Sequence, residues 1–246
     1  MGLDSWFPSP AVQDIVATVL TFGIALAWLR LMDALAHRGV VQPRLSRKII
    51  HIGTGPIFVL CWILFSDSAS ARLWAALVPL AITLQFIAVG LGWMKDDAAV
   101  QAMTRHGDPQ EILRGPMFYG LVFVACTVAF WRTSPVGILA LMIMCGGDGL
   151  ADIVGRRWGS SRLPYSAGKS WLGSAAMFLG GLILSLVMVW VFDRLGLFRT
   201  SLAWPSAMWK IVAVAFAATV VESLPLADVD NLTTTGAALL VASYLF

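Results

Sequence analysis

Apolar residues in this chain neither alternate nor recur every third or fourth position; they run together in long blocks broken by short polar segments. A helix that crosses a bilayer needs roughly 20 apolar residues. Seven blocks approach or reach that length, at residues 11–32, 49–65, 71–93, 117–131, 135–154, 174–192 and 206–226. An eighth, residues 236–246, is too short to cross unless its helix begins back near Asn231. The pattern predicts an all-α polytopic membrane bundle of seven or eight transmembrane helices, forming one domain over residues 1–246.

Composition supports this reading and excludes others. The chain of 246 residues is 59% hydrophobic and 13% charged, against roughly 45–50% and 25% in soluble domains. That excludes a soluble enzyme, and intrinsic disorder, which needs low hydrophobicity. A net charge of +3 is too small to suggest a nucleic-acid partner. Cys61, Cys126 and Cys145 lie inside apolar blocks and are expected to be free packing thiols. The lead-in carries Asp4 and Asp14 and no basic residue, the wrong charge for a signal n-region.

The basic residues set an orientation. With the N-terminus outside, the inner segments hold Arg30, Arg38, Arg44, Arg47, Lys48, Lys95, Arg105, Arg114, Arg156, Arg157, Arg162 and Lys169. The outer segments hold only Arg72, Arg132, Arg194, Arg199 and Lys210. This asymmetry favours N-out. The outer loops are also short, leaving chemistry to the inner face.

Ionisable groups inside a membrane are costly and usually functional. His51, Asp148, Asp152 and Glu222 lie in the blocks, all toward their inner ends. Four separate positions on one leaflet point to a site at the cytoplasmic membrane–water boundary. The densest group is Gly147-Asp148-Gly149-Leu150-Ala151-Asp152, continued by Gly155-Arg156-Arg157. Asp148 and Asp152 are four apart and share a helix face. Paired carboxylates suit Mg²⁺, which prefers oxygen ligands and usually brings phosphate. Gly149 and Gly155 would allow close approach of a ligand, and Arg156 and Arg157 could hold phosphate oxygens. Lys169 and Ser170 precede the next block, where a helix N-terminus favours anions. Plainer readings stand beside these. The aspartates could pair with the arginines, and the glycines could serve helix packing alone. Arg47, Lys48 and Arg114 could be interfacial anchors. His51 could cap a helix, and Asp230 and Asn231 suit a turn.

The stretch 147–178 resembles the signature of the CTP-dependent polyprenol kinase family, in its phytol kinase branch. That pattern, GDGxADxxGRRxG…KLP…KSxxGSxAMF, is matched with Arg162 in place of Lys. Three further patches are similar to the same branch: Arg47 to Gly53, Glu111 to Tyr119, and Glu222 to Pro225 with Asp230 to Thr233. They occur in the family's order over most of the chain. One departure is at the end, where DNLTVP is expected and Thr234-Thr235 follow Asn231-Leu232-Thr233.

The resemblance implies transfer of the γ-phosphate of CTP to an isoprenoid alcohol in the bilayer. On it, Asp148, Asp152 and Asp230 would hold Mg²⁺. Arg156, Arg157 and Lys169 would bind the phosphates, with Gly149, Gly155, Ser170, Arg47, Lys48, Arg114 and Asn231 around the nucleotide. Asp148, Glu222 or His51 would take the hydroxyl proton. Two other functions compete. A cytidylyltransferase resembling CDP-diacylglycerol synthase shares the nucleotide stretch but carries a C-terminal motif absent here. An ion-coupled transporter would place its acids near the midplane between repeats. With no Arg- and Ser-rich leader read, the expected location is a prokaryotic plasma membrane.

Overall fold

The computed structural model describes residues 6–104, 106–225 and 229–246. Asp4, Arg105 and the expected end of the seventh block at residue 226 lie outside them. Seven of its helices are long and apolar enough to cross a membrane, and the protein is an all-α polytopic membrane protein. The described elements are α1 (Pro10–His37), α2 (Pro43–Cys61), α3 (Ala71–Gly90), α4 (Asp97–Met103), α5 (Gly115–Ala129) and α6 (Pro135–Met142). After them come α7 (Gly149–Trp158), α8 (Trp171–Arg194), α9 (Trp204–Glu222) and α10 (Asp230–Leu245), with a hairpin of β1 (Arg162–Leu163) and β2 (Ser166–Ser170) between α7 and α8. α6 and α7 are one span, joined through a π-helical turn at Ile143–Asp148.

Helix starts follow local chemistry. Ser9 caps α1 by accepting from the Val12 amide, with Pro10 in the first turn. Ser134 and Pro135 repeat the arrangement at α6. Proline suits that position because its missing N–H would be unpaired anyway. Some of the stops use a left-handed residue. Gly39 (φ 71°) follows the cap residue of α1, and Gly196 (φ 67°) that of α8. Only glycine adopts that geometry cheaply. The eighth block does begin at Asp230, but its 16 residues extend only about 24 Å at 1.5 Å per residue, short of a ~30 Å hydrocarbon core.

The chain forms two compact units. The first comprises residues 1–50 and 57–129, the second residues 51–56 and 130–246. In the first, α3 packs on α1 and α5. Here one expectation fails. Asp14 is no part of a polar lead-in; it lies in α1 and is fully buried. Its carboxylate accepts from the Ser66 amide (2.8 Å), the Ser66 hydroxyl (3.1 Å) and the Ser68 hydroxyl (3.0 Å). Beside it Gln13 donates to the Leu64 carbonyl (3.1 Å). Donors supplied by a distant loop make burial of the charge tolerable, and composition around residue 14 carries no sign of them.

In the second unit the α6–α7 span is the axis. Of its most hydrophobic window 78% is buried, against at most 44% in any other span. α8, α9 and α10 pack on it. Small residues set the spacing. A Cβ at Gly181 would meet the Ile143 Cα at 3.3 Å, and one at Gly147 the Met177 carbonyl oxygen at 2.9 Å. Without a hydrophobic drive between helices in lipid, such close approach supplies the packing energy. The three cysteines are free and buried, as expected.

Candidate active site

Ends of helices bring the polar residues together within the second unit. α7 runs out past Asp148 and Asp152, β2 carries Lys169 back to α8, α9 ends on Glu222, and α10 starts at Asp230. His51 belongs to the same unit through the short segment 51–56 of α2.

Lys169 is the centre. Its ammonium pairs with the Glu222 carboxylate, whose side chain is 3% exposed against 28% for the lysine. Burial alone would pull the lysine down. Glu222, with Asp148 and Asp230 further off, more than reverses this and holds it above its ordinary 10.5. Three carboxylates from three elements therefore act on one cation, and the one it pairs with is 53 residues away in sequence.

Asp148 is tied to His51. The His51 Nε2 lies 3.3 Å from Asp148 Oδ2 and 3.2 Å from the Met144 carbonyl oxygen. Both neighbours are acceptors, so Nε2 must carry the proton and donate. His51 thus orients Asp148, and through that nitrogen it cannot take a proton from a substrate. The π-helical turn at Ile143–Asp148 contains this Met144 carbonyl, and such turns concentrate at functional sites. The sequence offered only the adjacent Gly146 and Gly147 as a hint of it.

Asp152 has a different neighbour. Its Oδ1 accepts from Arg156 Nε at 2.5 Å, four residues on, the plain ion pair weighed from the sequence. Arg157 stacks over Trp158, with Cζ 5.1 Å from the ring centre, and both arginines point into the open. Gly149 and Gly155 face protein. Ile52 and His51 crowd the position of a Cβ on Gly149, and the Gly173 Cα lies 3.3 Å from one on Gly155. Ser170 is the N-cap of α8, accepting from the Gly173 amide at 3.1 Å, so the expected helix start is where it was read. Lys169 stands one residue earlier, on β2. The Asn231 carboxamide oxygen is a buried acceptor with no hydrogen-bond partner among the described residues. Arg47, Lys48 and Arg114 belong to the first unit, where Arg47 donates to the Thr104 carbonyl at 2.9 Å.

Sequence reasoning passed over two residues here. Tyr165, in the hairpin, places its hydroxyl 3.1 Å from the Ser223 hydroxyl, beside Glu222. Neither carries a charge, so neither stood out. Among the described residues no group of three His, Cys, Asp or Glu side chains is arranged as a metal cage. Mg²⁺ does not require one, since one or two carboxylates plus phosphates and water complete its shell. The hard oxygens of Asp148 and Asp230, both near Lys169, fit that donor set.

Seven apolar spans, with carboxylates, a lysine and an orienting histidine gathered where helices end, mark an integral membrane protein with a charged site built on its helix ends. Comparison with known proteins narrows the class. The chain is 47% identical over 240 residues to a probable phytol kinase of wheat (Triticum aestivum), covering 97% of this chain and 79% of that one. It is 44% identical to a probable phytol kinase 1 of rice (Oryza sativa subsp. japonica), covering 96% and 75%. It is 40% identical to phytol kinase 1 of Arabidopsis thaliana, covering 95% and 77%. The chain belongs to the phytol kinase family. These relatives are named chloroplastic, which conflicts with the expectation of a prokaryotic plasma membrane. No protein-family model and no solved structure matches the chain.

Proposed function

We propose that this chain transfers the γ-phosphate of CTP to the hydroxyl of an isoprenoid alcohol dissolved in the bilayer, with phytol the first candidate because the relatives bear that name. One observation carries the reading: in a chain of this family, Lys169 lies among Glu222, Asp148 and Asp230 where the helices end. The nucleotide arrives from the face with the basic loops, and the alcohol presents its head from the membrane.

In the step itself the alcohol oxygen attacks the γ-phosphorus. The bond from that phosphorus to the β–γ bridging oxygen breaks, CDP leaves, and the hydroxyl proton passes to a carboxylate. Positioning and charge stabilisation dominate such reactions. Lys169 turns from Glu222 to the phosphate oxygens, assisted by Arg156 and Arg157, which already stand in the open. Ser170, as the N-cap of α8, shapes the nucleotide side. Glu222, left buried without its cation, takes the hydroxyl proton and so relieves an uncompensated charge. Asp148 is the alternative acceptor, held in place by His51. The unpaired Asn231 oxygen accepts a hydrogen bond from the incoming hydroxyl or ribose. Asp148, Asp230 and Asp152 would hold Mg²⁺. When bound, the metal supplies neutralisation of the phosphate oxygens.

The test is phosphate transfer by the purified, reconstituted protein. The panel pairs γ-labelled CTP, UTP, GTP and ATP with phytol, geranylgeraniol, farnesol and dolichol. The expected product is a labelled prenyl monophosphate, made with CTP and lost on chelating the divalent metal. Pyrophosphate release with phosphatidate, or no transfer from any nucleotide, overturns the proposal.

A further inference from the structure

The hairpin between α7 and α8 is tied to the end of α9 at two points. One is the Lys169–Glu222 ion pair. The other is the contact between the Tyr165 and Ser223 hydroxyls, 3.1 Å apart. The direction of that hydrogen bond can be assigned. Ser223 has one hydroxyl proton, and its Oγ donates to the Val220 carbonyl at 2.7 Å. Toward Tyr165 the serine oxygen can therefore only accept, so the phenol donates. Tyr165 to Ser223 to Val220 is a one-way chain ending in the last turn of α9.

The hairpin needs such ties. Its strands have two and five residues and pair only at Arg162 with Ser170 and Leu163 with Ser166, across an irregular register. A two-stranded hairpin is marginal alone. Nor does the tyrosine ring hold it by burial, being 54% exposed, whereas Ser223 is 5% exposed. The hydroxyl is what reaches a fixed partner.

We infer that Tyr165 is a positioning residue, whose hydroxyl latches the hairpin to the end of α9 and so holds the Lys169 ammonium beside Glu222, Asp148 and Asp230. The inference rests on the proposed role of Lys169 in binding nucleotide phosphate. Without the latch the hairpin keeps more freedom, and ordering it is charged against nucleotide binding. The effect falls on the nucleotide KM, not on the alcohol KM.

The experiment uses the full chain with Tyr165→Phe, Ser223→Ala, the double variant, and Ser223→Thr, which keeps the accepting oxygen. Hydrogen exchange of residues 162–170 is measured first, with no substrate present. It is expected to quicken in Tyr165→Phe and Ser223→Ala, no further in the double variant, and to stay near wild type in Ser223→Thr. The nucleotide KM is then expected to rise about 2–10-fold, as loss of one hydrogen bond would give, with the phytol KM unchanged. Unchanged exchange in Tyr165→Phe, or losses that add in the double variant, overturn the latch. Faster exchange with an unchanged nucleotide KM overturns its positioning role. If wild type transfers no phosphate at all, the proposed function fails by itself, and the exchange measurement still decides the latch.

Discussion

Lys169→Met keeps the length of the arm and removes its charge. Glu222, with a side chain 3% exposed, is then left buried without its cation, and Asp148 and Asp230 lose the same counter-charge. Breaking a buried pair in this way costs about 3–5 kcal/mol. The lysine head is partly wetted, at 28% exposure, which brings the expectation nearer the ~1.5–3 kcal/mol of a charge-assisted hydrogen bond. We take about 2–3 kcal/mol. For a chain of this size ~1 kcal/mol moves Tm by about 2–4 °C, so a fall of about 4–12 °C is expected. The decisive variant is the double one. Lys169→Met with Glu222→Gln removes the orphaned charge and should melt higher than Lys169→Met alone, because a neutral pair in place of a broken ionic one is often tolerated. Thermal unfolding in detergent, followed by tryptophan fluorescence, measures all four proteins. If Lys169→Met melts within about 1 °C of wild type, or the double variant loses the full sum of the two single losses, the pair is not coupled and the reasoning fails.

Asp148→Asn, which removes a proposed Mg²⁺ ligand and the alternative proton acceptor, should lower turnover at least ~10²-fold, at an unchanged protein level in the membrane; wild-type turnover removes Asp148 from the site. The raised lysine predicts a pH profile. Stability from the Lys169 pair is fully present below the ordinary 10.5 and lost only as pH rises through the higher folded value. A Tm that falls between about pH 8 and 10 in wild type but not in Lys169→Met contradicts this. Asp14→Asn should cost about 1–3 kcal/mol, because a buried acceptor is exchanged for a group that also brings donors. It should leave the nucleotide KM untouched, and a changed KM would connect that clasp to catalysis. Gly147→Ala puts a methyl 2.6 Å from Met177 Sδ and 2.9 Å from the Met177 carbonyl oxygen. About 1–3 kcal/mol of overpacking is expected, and a wild-type Tm rules out the tight contact.

The transmembrane blocks were legible because hydropathy is a local property. Each helix must satisfy its own backbone in lipid, so its limits are written in its own residues, and the observed helices depart from the blocks mainly at their ends. The site was legible in outline for a related reason: charges are rare inside membranes, so His51, Asp148 and Glu222 stood out without any model of the fold. Asp14 shows the limit of that logic. It too lies in a span, but near the helix start it passed for a lead-in residue, and only the loop from Ser66 to Ser68 shows why it is tolerated there. Asp152 shows another limit, since pairing at four residues' spacing was open to two readings, and here its oxygen goes to Arg156. The hairpin was not anticipated at all, because β1 has only two residues.

By itself, then, the amino-acid sequence determined that this is a helical membrane protein, where most of its spans run, and which family's pattern it carries. Those are matters of composition and order along the chain. The tertiary structure decided which charges meet. Lys169 facing Glu222, His51 donating to Asp148, and Tyr165 donating to Ser223 join residues 53, 97 and 58 positions apart. Such pairings depend on how helix ends are brought together by packing, and no local pattern encodes that.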